Sequence, residues 1–409
     1  MSERHQIRDP VHNFVELWEK EIKLVGTPLF QRLRGIRQLA MANLVYPGAL
    51  HTRFDHSLGV CHVAGLLSKQ LGLNDNAETT LVRLAALLHD LGHGPFSHVS
   101  ESLLERYADR SKLAADQKKE KIHELLTAHL ITTDPNILRI IGEDTAAEVV
   151  KLLSVGHGLP AMKAIVSGPL DADKQDYLLR DSLFCGVEYG VFDVHQLHRS
   201  LVLDGPENEK ELMIDRDGIH AVEQFVLAKY YLTTNVYRHK VRLITDQMII
   251  RAIVLGIEED ELEDLHAIYA FDNSPEFVRR YTRWNDARLM ASSCGEAKPN
   301  TLCGGLFDRL LSRRLFKRVF QERIQKFSEV EVRDKLLTLG GMPKTEEERE
   351  ANDKLRKEIE AALGEVLSKH FYCQFAEYLY RFRGIFCGKG RGFQGEGGDA
   401  TTSGGIMAG

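Results

Sequence analysis

The stretch TTLVRLAALLHDLGHGPFSH, residues 79–98, limits the fold more than any other part of the chain. Leu81, Leu84, Ala85 and Leu88 recur at the three- and four-residue spacing of one helix face, and the run then meets Gly92 and Gly94-Pro95, which end a helix. Residues 57–71 repeat the pattern with Val60, Ala64, Leu67 and Leu71 and stop at Gly72. With 11 prolines in 409 residues and the same spacing along most of its length, the chain is predicted to be mainly α-helical. β-structure is expected only around Val45-Tyr46 and in a hairpin over 200–216, where LVL and ELMI flank the turn-forming DGPENEK. Thr345 and Glu348 form a capping-box pattern ahead of Leu355, Ile359, Leu363 and Val366, and predict a helix over 345–369.

The length allows two to three domains or one large helical core, at ~150 residues per domain. The pattern divides into a core over 1–288, a helical C-terminal lobe over 289–387, and a tail over 388–409 with nine glycines that is expected to be mobile. Residues 289–305 read as a loop at the lobe boundary, and the charged, weakly periodic run 107–123 as a loop or surface helix. Lys and Arg number 53 against 59 Asp and Glu, with 43% hydrophobic and 27% charged residues, which argues against wholesale disorder and against a broadly basic nucleic-acid coat. No apolar run reaches the ~18–20 residues of a bilayer span, and MSERHQIRDP lacks the apolar stretch of a signal peptide, so a cytoplasmic protein without membrane partners is expected. Six dilute cysteines read as reduced packing residues.

Chemistry concentrates on the 17 histidines and the acids beside them. His56 in RFDHSLG, His89-Asp90 in LLHDLGHGPFSH and Asp173 in LDADKQDYLLRD offer two imidazoles and two carboxylates, a set suited to Fe, Mn, Zn, Co or Mg that leaves positions open for water or phosphate oxygen. His93, His98 and His123-Glu124 add further ionisable groups, costly to bury without purpose. His123-Glu124 followed by His129 is not the zinc-protease motif, whose second histidine stands four residues after the first. Residues 384–390, GIFCGKG, have the wrong spacing for a phosphate-cradling loop.

The arrangement H…HD…D, with HDLGHGPFSH after the pair and D-x-D-K-x-D-Y-x-x-R-D around the last acid, resembles the HD-domain superfamily of metal-dependent phosphohydrolases. Within it the chain resembles the deoxynucleoside triphosphate triphosphohydrolases, through IRDPVHNFVEL, TPLFQRLRGIRQL, YPGALHTRFDHSLGV, NVYRHKVRL and the RLFKRVF segment. The resemblance implies an HD-domain helical fold with its motif region at 50–185, an additional helical lobe, and hydrolysis of dNTPs to deoxynucleoside and triphosphate. His56, His89, Asp90 and Asp173 match its metal ligands, with Asp90 placed to bridge to a second ion. His93, His123 and Glu124 match the acid–base cluster around the attacking water, and His98 the group beside the leaving 5′ oxygen. Arg53, Lys174 and Lys229 match triphosphate-binding positions. Tyr177 and Asp181 match residues at the deoxyribose, Gln38 and Leu39 those near sugar and base, and Tyr237 an aromatic that excludes a ribose 2′ hydroxyl.

The resemblance further implies a nucleotide effector and a homo-oligomer, a tetramer, serving dNTP homeostasis or defence against viruses and phage. Gln31 and Arg34 of the effector patch are kept, but Gly26 stands where relatives carry the Asp that reads guanine, His5 and Arg8 replace neighbouring contacts, and Glu101 stands where an Asp sits near the metal centre. Two other functions fit the same ligands: an HD-type nuclease or phosphodiesterase on oligo- or cyclic nucleotides, and a nucleotide-sensing module without turnover. The acidic balance argues against the first, and strong nucleic-acid binding is not expected. His93, His123 and Glu124 argue against the second.

Overall fold

The computed structural model describes residues 5–317, apart from 74–75, 115–116, 118–119, 155–159 and 207–209, together with scattered positions between 326 and 362. The described chain is mainly helical. A hairpin of β1 (His5–Asp9) and β2 (Asn13–Leu17) opens it. Ten helices follow: α1 (Glu19–Val25), α2 (Pro28–Gln31), α3 (Arg53–Gln70), α4 (Asn76–Leu88), α5 (His98–Tyr107), α6 (Ile122–Thr133), α7 (Pro135–Ile141), α8 (Glu143–Leu153), α9 (Pro160–Ser167) and α10 (Ala172–Cys185). After α11 (Val194–Ser200) comes the antiparallel pair β3 (Leu201–Asp204) and β4 (Glu211–Ile214). Then come α12 (Ile219–Leu232), α13 (Lys240–Glu258), α14 (Glu263–Tyr269), α15 (Pro275–Tyr281), α16 (Asp286–Ser293) and α17 (Leu302–Leu311). The described residues up to 316 form one compact unit, and α18 (Val330–Gly340) lies in a second.

The centre of the first unit is the α3–α4 pair with α10 laid against α3. α3 starts where Thr52 and Asp55 cap each other, the Asp55 carboxylate accepting from the Thr52 backbone N–H and hydroxyl at 2.9 Å each. It ends at Gly72, whose φ of +70° favours a residue without a Cβ. Arg83 of α4 is buried and donates to both oxygens of Glu21 in α1 at 2.7 Å and to the Glu16 carbonyl at 2.7 Å, tying the opening hairpin and α1 to the core. Cys61, Cys185 and Cys303 are free thiols buried in packing, as the sequence implied.

The 200–216 hairpin stands where expected. The segment at Val45-Tyr46 is not a strand: Ala42–Leu44 form one short turn of tight helix and the chain turns on through Gly48. The β1–β2 hairpin was not anticipated: its strands are five residues each and HQIRD carries a single apolar residue, Ile7, too little alternation to mark a strand. The boundary drawn at 288/289 falls inside α16, and α17 packs on α13, so the first unit runs on to 316. The loop read at 289–305 shrinks accordingly to 294–301, between α16 and α17. The helix expected over 345–369 falls mainly, and the tail over 388–409 entirely, outside the described residues. Among the described residues no helix is long and apolar enough to cross a membrane.

Candidate active site

Three elements deliver the candidate ligands. His56 lies one turn into α3, where it is 1% exposed. His89 and Asp90 follow the last residue of α4, on the turn forced by Gly92 and Gly94-Pro95. Asp173 lies in the first turn of α10, fixed by the N-cap Asp171, which accepts from the Lys174 backbone N–H at 2.8 Å. Gly92 lets the 89–97 turn press on α6: a Cβ there would stand 2.1 Å from the His123 carbonyl oxygen and 2.6 Å from the Thr127 nitrogen. Asp286 of α16 secures the turn from the other direction, accepting from the backbone N–H of Phe96 at 2.7 Å and of Arg37 at 3.0 Å.

His56, His89 and Asp173 each offer one ligand atom within 4.8 Å of the others, the one such group among the described residues. His56 Nε2 lies 2.9 Å from Asp173 Oδ1, and His89 Nε2 lies 3.7 Å from it. Donor atoms ~2.1 Å from a shared ion stand about 3.0 Å apart when adjacent, so the spacing fits one divalent cation. His89 Nδ1 donates to the Ala86 carbonyl at 2.8 Å, which leaves Nε2 as the ligand atom, and that nitrogen is buried with no hydrogen-bond partner. Such an unpaired atom costs about 1–3 kcal/mol, and a cation at this point takes up its lone pair.

Asp90 lies beside the group, with Oδ1 3.2 Å from His89 Nε2 and Oδ2 3.8 Å from His56 Nε2. Its Oδ2 is held at 2.5 Å by Arg53, which is itself buried and bonded to Ser97 Oγ at 2.8 Å. Burial would raise the Asp90 carboxyl, but the Arg53 charge and the neighbouring imidazoles hold it well below the usual range. Burial likewise works to lower His56, and its hydrogen bonds to Asp173 and Asp176 carry it instead up to about 10. The acids that raise it are the ones that attract a cation.

His93 Nε2 stands 3.3 Å from Asp90 Oδ1, its ring stacks on His123 at 4.1 Å between centroids, and His98 meets it edge-on at 6.0 Å. Burial, then the charges of Arg53 and His123, pushes His93 well below the ordinary imidazole range; burial and Arg53 lower His98 to about 3. Glu101 orients His123, accepting from Nδ1 at 2.6 Å and from the backbone N–H of Ile122 and His123 at 3.0 and 3.2 Å. Glu124 points away: it is exposed, 3.5 Å from Lys121.

Along α10 from Asp173, Tyr177 and Asp181 follow at four-residue steps on one face. Asp181 is buried; its Oδ1 lies 2.7 Å from His51 Nε2 and its Oδ2 accepts the Tyr237 hydroxyl at 2.6 Å. Tyr177 and Tyr237 meet edge to face at 6.2 Å. Tyr237 closes a π-turn, Thr233–Tyr237, pinned by Arg242, which donates to its carbonyl at 2.6 Å. Gln38 and Leu39 are buried, and the Gln38 backbone N–H donates to the His51 carbonyl at 3.1 Å. Lys174 bonds Asp171 and the Gly168 carbonyl, whereas Lys229 is exposed on α12. Gln31 and Arg34 are bonded to each other at 2.8 Å, and the Arg34 guanidinium lies 3.4 Å over Phe54.

His51, Asp176 and Ser97 were not singled out in the sequence. Asp176 stands three residues after Asp173 on the same helix face, a signal that was there to read; His51 and Ser97 reach the site only through the tertiary fold.

The HD domain family matches residues 53–178 and the HD associated region residues 192–348. The uncharacterized protein MJ1154 of Methanocaldococcus jannaschii is 35% identical over 63% of this chain and 51% of its own length. The deoxynucleoside triphosphate triphosphohydrolase SAMHD1 of Homo sapiens is 30% identical over 68% of this chain and 49% of its own. The chain thus spans about half the length of these curated relatives. A crystal structure of a phosphohydrolase from Bacteroides thetaiotaomicron superposes with a TM-score of 0.65 at 27% identity, covering 83% of both chains. With a partly buried His-His-Asp group at the junction of α3, α4 and α10 and both matched regions in sequence order, the chain belongs to the HD-domain family of phosphohydrolases.

Proposed function

We propose that the chain hydrolyses deoxynucleoside triphosphates to a deoxynucleoside and triphosphate, at a divalent ion held by His56, His89, Asp173 and Asp90. The observation that carries this reading is that one fold places the His56–His89–Asp173 group beside the His93–His123–His98 cluster and, along α10, the Tyr177–Asp181–Tyr237 group. When bound, such an ion supplies Lewis-acid polarisation of a phosphoryl oxygen. His93, neutral through burial, accepts a proton from water, and His123 is held against it by Glu101. Arg53 and Lys174 take outer phosphate oxygens, Arg53 by exchanging its bond to Asp90. Tyr177 and Tyr237 wall the sugar, whose 3′ hydroxyl reaches Asp181. Glu124 and Lys229, facing solvent, take no part in this arrangement.

The reading includes nucleotide control at the hairpin, at α2 with Gln31 and at the short helical turn Arg32–Gly35 with Arg34, and a homotetramer. It also includes a cytoplasmic role in lowering dNTP pools, for homeostasis or phage defence. Phosphorus NMR of a dNTP panel in ¹⁸O-water tests the bond broken. Intact triphosphate carrying the label is expected. Pyrophosphate with dNMP would overturn the roles of Arg53, Lys174 and His98, and cleavage of cyclic dinucleotides alone would return the phosphodiesterase reading.

His98 provides a pH test. In the free protein it titrates at about 3, lowered by burial and Arg53. A bound triphosphate adds negative charge nearby and raises that value. A group that must be protonated to act supports turnover below its pKa and fails as pH rises through it. We therefore expect kcat, which reports the complex, to hold to higher pH than kcat/KM, which reports the free enzyme. His98→Asn should remove the difference, and profiles that coincide in the wild type exclude His98 as the acid.

A further inference from the structure

Asp176 lies behind His56 and is fully buried. Its Oδ2 bonds His56 Nδ1 at 2.8 Å and Arg180 Nε at 2.9 Å; its Oδ1 bonds Arg180 Nη2 at 2.9 Å and His12 Nε2 at 2.7 Å. His12 belongs to the turn between β1 and β2. Asp9, which starts that turn, accepts from the backbone N–H of Val11 and His12 at 2.9 Å each, and also receives Arg180 Nη1 at 2.8 Å. The hairpin turn therefore holds Asp176 twice, directly through His12 and indirectly through Asp9 and Arg180.

The consequence falls on His56. A carboxylate that accepts from Nδ1–H fixes the ring angle and keeps that proton in place, so that a cation arriving between Asp173 and His89 displaces the Nε2 proton and meets the Nε2 lone pair. Arg180 alone satisfies the Asp176 charge but leaves one position on Oδ1 open. His12 fills it and fixes the carboxylate plane, and with it the direction of the His56 ring.

We infer that His12 and Asp9 of the N-terminal hairpin are positioning residues for His56, acting through Asp176, so that a displacement of the hairpin changes the affinity of the centre for its ion. This rests on the reading of His56 as a metal ligand. By linkage, whatever binds the hairpin and the ion at the centre alter each other's affinity by the same factor.

The test titrates the metal-stripped full chain with Co²⁺, read by its visible absorption, in the wild type, His12→Ala, His12→Gln and His56→Ala. Partners that orient a metal-bound imidazole are worth roughly 10- to 100-fold in affinity, so His12→Ala should bind Co²⁺ about tenfold more weakly, with shifted bands and an unchanged circular-dichroism spectrum. The amide nitrogen of His12→Gln reaches the place of Nε2 and should restore most of the affinity, which lost packing alone does not explain. Wild-type affinity and spectrum in His12→Ala, with binding lost in His56→Ala, overturns the relay and leaves the metal reading standing. Wild-type binding in His56→Ala overturns both. Should His12→Ala not fold, Asp9→Asn carries the test: it keeps the turn's acceptor and weakens the Arg180 anchor, and unchanged Co²⁺ affinity there overturns the relay.

Discussion

Asp173→Asn and His89→Gln should each lower turnover by on the order of 10³-fold while the protein stays folded. A catalytic divalent ion is worth several kcal/mol of transition-state stabilisation, and each ~1.4 kcal/mol is a factor of ten in rate. These two positions isolate that loss better than His56 or Asp90 do. Asp173 is 34% exposed on its side chain, and His89 makes one hydrogen bond, to the Ala86 carbonyl. Removing either ligand leaves no large buried charge uncompensated, whereas altering Asp90 strands Arg53, at a cost of about 3–5 kcal/mol for a broken buried pair, and altering His56 takes a hydrogen-bond partner from the buried Asp176. The checks are metal content by mass spectrometry, steady-state turnover and thermal melting. Wild-type turnover in a variant that holds no metal would remove the ion from the mechanism.

The second large effect is on stability and runs against helix propensity. Gly59 sits in the middle of α3, where alanine ordinarily gains about 1 kcal/mol. A Cβ at this position would stand 1.8 Å from Asp176 Oδ1 and 2.4 Å from Arg180 Nη2. Those atoms belong to the buried pair that Asp9, His12 and His56 complete, so they have no free direction in which to move. Disrupting such a pair costs about 3–5 kcal/mol, which exceeds the propensity gain, and Gly59→Ala should lose roughly 2–4 kcal/mol. Urea denaturation of the two proteins measures it. An alanine variant as stable as the parent would show that α3 and α10 are further apart than described.

What could be read from the sequence was what is encoded locally. The stops at Gly72 and Gly92 and the β3–β4 hairpin show as short-range spacing, and the candidate ligands His56, His89, Asp90 and Asp173 as separate short motifs, spread over 117 positions, that the fold brings together. The opening hairpin did not show, because its contribution is long-range: His12 meets Asp176 across 164 positions. Arg53 looked like a free cation for phosphate, since nothing near it in sequence announces that Asp90 and Ser97 occupy it. The resemblance matched Glu124, with His93 and His123, to the cluster around the attacking water, but neighbours on a helix point about 100° apart, and Glu101 from α5 takes the place beside the imidazole.

Glu101 also bears on the order in which the site is made. Lys121 precedes α6 without a side-chain cap, and the first amides of that helix are satisfied by a carboxylate 21 positions earlier. A local cap assembles with its own helix; this one exists only after the intervening loop has closed. The start of α6 and the orientation of His123 therefore rest on the same carboxylate, and a chain with α5 undocked has neither. Because the entropy of closing a loop grows only with the logarithm of its length, a residue inserted in the charged segment between the two helices should change the cost of that closure little.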